Sequence, residues 1–419
     1  MCVIISKATG HCHNSVLTGR NMKKGVAILL CTIFIAGSLA AYLTTNESTE
    51  PSSEENTNTT ESGTTEGSTP EGGTTENGTT EGGTTEDEAS EPEPEPEAPP
   101  GAITCPDGTN GTLLWGMVTC AEPVVFKASD VSNETVNITM EWYNIAAEEW
   151  GNFGPVEIYI VGEDLEAAQA LEDLYCERHK ALDENWDEQW DCANENYQIF
   201  THYVEEGGAA IGTFKRTNLD YDFMMMTMSA KYPGPEEDDY KPVTLHEYFH
   251  IFQHSHISDE CTSDNRDTCE RDAKMGGKDT PWFSEGGAEF MAQSLYAAQD
   301  GIGENQLRDT MRWKLEMSHD GYNGQDVPLD ELTYSSQVNV YDVGCWFIAY
   351  LIHNEGTEAF IDGFYGDLDE LGFDAAFEMH FNSTKDDYLA EFEVFFAQPA
   401  DDVMAIFPEA SSGTEEQTE

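Results

Sequence analysis

Apolar residues are spread unevenly along the chain. Residues 25–43 (GVAILLCTIFIAGSLAAYL) run for 19 positions without a charge, long enough to cross the hydrocarbon layer of a bilayer. Residues 44–100 then contain nothing that could support a core, being mostly Thr, Glu, Gly, Ser and Pro with repeated G-T-T-E units and a closing E-P-E-P-E-P. Patterned sequence resumes at about residue 101. Residues 136–142 alternate in part, and residues 156–161 (VEIYIV) are a strong strand candidate. Residues 165–190 repeat apolar positions at three- and four-residue steps, the helical period. The run 223–228 (FMMMTM) precedes a Pro-Gly turn and reads as a strand whose methionines serve packing. Beyond Pro242 the periodicity is helical, with candidates at 243–254, 284–298, 306–317, 343–353 and 388–396. A mixed β-sheet part followed by a helical part predicts an α+β fold of two subdomains.

These regimes divide the chain into an export segment (1–43), an extended self-repelling linker (44–100), one folded domain (101–408) and a frayed tail (409–419). Lys23 and Lys24 precede the apolar run and acidic sequence follows it, which predicts a cytoplasmic N-terminus with the remainder outside. Ser38-Leu39-Ala40 resembles a small-x-small cleavage site, so a removed signal peptide and a retained anchor both fit. The expected location is extracytoplasmic, anchored at the cell surface or secreted. Membrane contact is expected only through the N-terminal segment, and a monomer is expected.

Charge narrows the partners. The 81 acidic and 19 basic residues give a net charge of −62, a surface that repels phosphate backbones and argues against nucleic acid. No D-x-D-x-D-G loop assigns the acidity to calcium. Of ten cysteines, seven lie beyond the export segment. An oxidising compartment and their spacing suggest the pairs 105–120, 176–192 and 261–269, with Cys345 left as a buried thiol in an apolar run. None of the seven forms a C-x-x-C pair, which argues against a cysteine metal site.

Chemistry concentrates in residues 244–250 (TLHEYFH). On a helix, positions four apart share a face, so His246 and His250 can aim their imidazoles at one ion. Glu247, one step round, reaches a water beside that ion and is the candidate base. A catalytic site of this kind needs a third protein ligand, and two residues compete. His256 stands six positions after His250, where metzincins place their third histidine, but the glycine they need three positions after the second histidine is Gln253 here. Glu285 lies 35 positions after His250 in residues 281–290 (PWFSEGGAEF).

With this second segment the sequence resembles the gluzincins, zinc peptidases whose H-E-x-x-H helix is followed by a helix bearing a glutamate ligand. W-F-S-E-G-G-A-E-F is similar to the W-x-x-E-G-x-A-E-[FY] helix of peptidase-MA-like and bacterial collagenase-like members. The resemblance implies a zincin-like fold, Zn2+ on His246, His250 and Glu285, and an antiparallel edge strand ahead of the metal helix, for which residues 223–228 stand in the matching place. It implies hydrolysis of a protein or peptide substrate. No G-x-M-E-N segment is present to capture a terminal amine, which favours an endopeptidase. Glu289, four residues after Glu285, either accepts the free N–H of a ligating histidine or is a solvated helix carboxylate. Residues 334–344 (YSSQVNVYDVG) resemble the zinc-aminopeptidase segment whose tyrosine steadies the oxyanion, which maps to Tyr341; a core tyrosine is the competing reading. A surface binding protein of the same fold without turnover, or a zinc hydrolase of a non-peptide substrate, are the rival functions.

Overall fold

The computed structural model describes residues 102–181, 199–214, 223–258, 271–277 and 280–409. The expected export segment, the linker and residues 410–419 lie outside them, as do one or both cysteines of the 176–192 and 261–269 pairs. Among the described residues no helix is long and apolar enough to cross a membrane.

The fold is α+β, with small sheets in the N-terminal part and helices in the C-terminal part. The main sheet has the order β4-β6-β8-β7: β4 (Val124–Lys127), β6 (Val156–Val161), β8 (Phe223–Ser229) and β7 (Ala209–Phe214). β4 and β8 run parallel to β6, with Val156 opposite Met224 and Val161 opposite Ser229, while β7 runs antiparallel to β8. Every residue of β6 and β8 is buried. Strands covered on both faces read as continuous apolar runs rather than as alternation, which is the pattern of VEIYIV and FMMMTM. The expectation that residues 223–228 form the edge is corrected here. They lie inside the sheet, and β7 is the antiparallel edge among the described residues.

A second correction concerns residues 136–142. They sit within α1 (Asn133–Trp150), not in a strand. Thr135, Thr139, Trp142, Tyr143, Ala146 and Trp150 are buried at three- and four-residue steps, and Ser132 caps the helix by accepting from the Thr135 amide at 3.0 Å. The β-branched residues of a seven-residue window imitated a strand, whereas the full stretch carries the helical period. The helix expected over 165–190 is α2 (Leu165–Lys180); residues 182–198 are outside the described ones.

Ahead of the main sheet, two-stranded pairs join β1 (Ala102–Thr104) to β2 (Asn110–Thr112) and β3 (Met117–Val118) to β5 (Phe153–Gly154). The Cys105–Cys120 disulfide staples this region as expected. Cys345 is free and buried, also as expected.

The later helices follow the sequence reading with shifted ends: α3 (Tyr240–Ser255), α4 (Trp282–Ala297), α5 (Gln306–Asn323), α6 (Val340–Glu355) and α7 (Lys385–Phe396). α3 is buried on nearly every side, among α1, β7, β8 and α4, which is why it lacks a polar face. α4 and α6 touch backbone to backbone. A Cβ on Gly286 would lie 2.3 Å from the Gly344 carbonyl carbon, and one on Gly344 would lie 2.2 Å from the Trp282 oxygen. Only glycine permits that approach, and it carries the residues before α6 up to Glu285.

Candidate metal centre

His246 and His250 project from one face of α3, and Glu285 lies in the first turn of α4, where the helix dipole favours a negative charge. The three converge. His246 Nε2 and His250 Nε2 are 3.1 Å apart, and Glu285 Oε2 is 3.1 Å from the first and 3.3 Å from the second. They form a buried group placed to bind a metal ion, at 2%, 0% and 0% exposure.

The surrounding hydrogen bonds fix where the protons are. Gln253 donates through Nε2 to the Ser284 carbonyl at 3.0 Å and to the Tyr365 hydroxyl at 2.9 Å. Its Oε1 therefore faces His250 Nδ1 at 2.7 Å, and that nitrogen must donate. Likewise His246 Nδ1 lies 3.1 Å from Glu289 Oε2 and donates to it. With both Nδ1 atoms protonated, neutral imidazoles present bare lone pairs at Nε2. With both rings neutral, three acceptors would face one another, an arrangement that needs a cation at its centre, either a metal ion or a proton on His246 Nε2.

The electrostatics express the same demand. Burial opposes a charge on His246, but hydrogen bonds to Glu285 and Glu289 outweigh it and raise the imidazole to about 10. Burial would raise Glu285, yet the two histidines hold it down to about 2. Glu247 is pushed up to about 7, by burial above all, and its Oε2 has no hydrogen-bond partner among the described residues. A buried, unbonded carboxylate beside the triangle is poised to exchange a proton near neutrality.

Glu289 is not a solvated surface group. Its Oε1 takes Lys314 Nζ at 2.8 Å, and Lys314 also donates to Asp342 Oδ1 at 3.0 Å. Burial opposes ionisation of Glu289, but the Lys314 charge and His246 hold its carboxyl well below the usual range. The Tyr341 ring lies 6.1 Å from that of His246. Burial, followed by the charges of Glu285 and Glu247, keeps its phenol well above its ordinary range and so protonated.

The rival third ligand is elsewhere. His256 lies beyond the end of α3, its Nδ1 2.8 Å from the Phe252 carbonyl and its ring packed on Phe153 and Phe252. His254, the next turn after His250, is buried but not part of the group.

Four participants escaped the sequence reading: Gln253, Lys314, Asp342 and Tyr334, whose hydroxyl donates to Glu285 Oε1 at 2.8 Å. Gln253 had a local signal, being three residues after His250 on the same face. The others come from separate elements and had none. Comparison of the chain with protein-family models, curated proteins and solved structures finds no match in any of the three.

Proposed function

We propose that this protein is an exported zinc-dependent hydrolase of peptide bonds, an endopeptidase whose metal is held by His246, His250 and Glu285. The observation that carries the reading is the buried triangle of His246, His250 and Glu285, with the unbonded Oε2 of Glu247 beside it. Donors around a tetrahedral ion with bonds of about 2.0–2.1 Å stand about 3.3–3.4 Å apart, close to the 3.1–3.3 Å separations found here. Two imidazoles and one carboxylate, with a position left open, are a donor set suited to catalytic zinc. Bound there, zinc would polarise a scissile carbonyl and bring a water's ionisation toward neutrality.

The chain's own residues supply the remaining steps. Glu247 takes the attacking water's proton and returns it to the leaving amine, a role suited to a carboxyl raised to about 7. Glu289 and Gln253 hold the two imidazoles in the tautomers that leave Nε2 bare. Tyr341, as a protonated phenol, donates to the oxygen on which charge develops. β7, packed against α3 at the sheet edge, offers main-chain groups to an extended peptide.

Metal content of the purified full-length chain and cleavage of casein, beside a Glu247→Gln variant, test the reading. Bound zinc in both proteins and a loss of about 10²–10⁴-fold in turnover for the variant are expected. Equal cleavage by the two, or no retained zinc in either, would overturn it.

A further inference from the structure

The two oxygens of Glu285 are held differently. Oε2 closes the triangle with the histidine nitrogens, while Oε1 points away and accepts from Tyr334 at 2.8 Å. Tyr334 is 43% exposed, whereas Glu285 is fully buried, so the phenol reaches the carboxylate from the solvent side. Its backbone is set by a tight turn. The Thr333 amide donates to Ser336 Oγ at 2.9 Å, and the Ser335 amide to Thr333 Oγ1 at 3.3 Å. Downstream, Asn339 caps α6 by accepting from the Tyr341 amide at 3.1 Å, and the Gly286–Gly344 contact holds α6 against the helix that bears Glu285. The position of the hydroxyl is therefore built into the fold.

A carboxylate can bind a metal through one oxygen or through both, and the second mode fills a coordination position that a catalytic site must keep open. A phenol bonded to Oε1 opposes that second mode. We infer that Tyr334 is a positioning residue that keeps Glu285 a one-oxygen ligand and so reserves the open position for reactants. This rests on the metal reading proposed above. The Tyr341 ring stands beside His246 instead, 6.1 Å between centroids.

Cobalt(II) loaded into the metal-free full-length chain reports coordination number through its visible bands, which are intense when four-coordinate and weak at higher coordination. Wild type is expected to give the intense bands. Tyr334→Phe should weaken them severalfold and lower cobalt affinity by about 10–100-fold, the range for loss of a partner that orients a ligand. Tyr341→Phe, which removes a hydroxyl from the neighbouring ring, should keep the wild-type bands. Unchanged bands in Tyr334→Phe would overturn the inference. So would X-ray absorption of the zinc-loaded wild type showing more than four nitrogen and oxygen neighbours, a result independent of whether any variant folds. A wild-type chain that binds neither metal would instead overturn the metal centre itself.

Discussion

Glu157 in the sheet and Glu285 at the start of α4 are both fully buried carboxylates that touch histidine, yet their surroundings are opposite in kind. Around Glu157 there are donors. Arg178 meets Oε1 through Nε at 2.9 Å and Nη2 at 2.8 Å, while Tyr159 and His179 meet Oε2 at 2.8 and 2.9 Å. A fixed guanidinium matches the charge. Around Glu285 Oε2 there are two imidazole nitrogens, on rings whose Nδ1 protons go to Glu289 and Gln253 on the far side. Among the described residues no lysine or arginine lies within ion-pair distance of it, and its charge is matched only by what the triangle can hold. One chain thus shows two ways to bury a carboxylate: close it with a cation of its own, or leave it for a cation from outside. The second is costly unless a cation, whether a proton or a metal ion, arrives.

Glu289 belongs to the first kind, since Lys314 sits between it and Asp342. The largest stability effect is therefore expected from Lys314→Met, which strands the buried Asp342 and the half-buried Glu289. A loss of about 3–5 kcal/mol is expected in denaturant unfolding, and a change under about 1 kcal/mol would remove Glu289 from this class.

The comparison is sharpened by making the same substitution at both sites. Glu157→Gln should cost about 2 kcal/mol, less than a fully buried pair because Arg178 is 34% exposed, and should leave zinc affinity unchanged. Glu285→Gln should instead lower zinc affinity by more than about 100-fold, beyond the loss of an outer partner. Calorimetric unfolding and zinc titration of both variants check this. Similar behaviour of the two would erase the distinction.

The two carboxylate sites also differ in their pH dependence. Burial would raise Glu157, but His179, Tyr159 and Arg178 lower it from 4.5 to about 2. A lowered carboxyl contributes stability that is present above its unfolded value and lost as pH falls, here between about 4.5 and about 2. His246 is raised from 6.5 to about 10 in the metal-free centre. A raised imidazole contributes stability that is complete below 6.5 and lost as pH climbs through about 10. Urea unfolding of the metal-free chain across pH should therefore weaken at both ends for different residues. Zinc should abolish the alkaline loss alone, because a bound cation replaces the proton on His246.

Much of the centre was legible from sequence because it is local. The four-residue spacing of His246 and His250 places them on one helix face whatever surrounds it, and Glu247 follows from the same geometry. The continuous apolar run 223–228 marked a strand for an equally local reason, but its place inside the sheet depended on β7 pairing along its other side. Residues 136–142 misled because seven residues do not distinguish a β-branched helix from a strand, whereas the eighteen of α1 do.

By itself, the order of residues determined the helix, the histidine pair and the glutamate beside them, and it suggested the disulfide across residues 105–120. Tertiary structure decided which distant group completed the triangle, setting Glu285 there and turning His256 onto aromatic rings. It also decided where the protons went, through Gln253, Glu289 and Lys314, and brought Tyr334 across 49 positions to the free oxygen of Glu285. Periodicity constrains directions within one element. Distances between elements are set by packing, here by two glycines that let α4 and α6 touch.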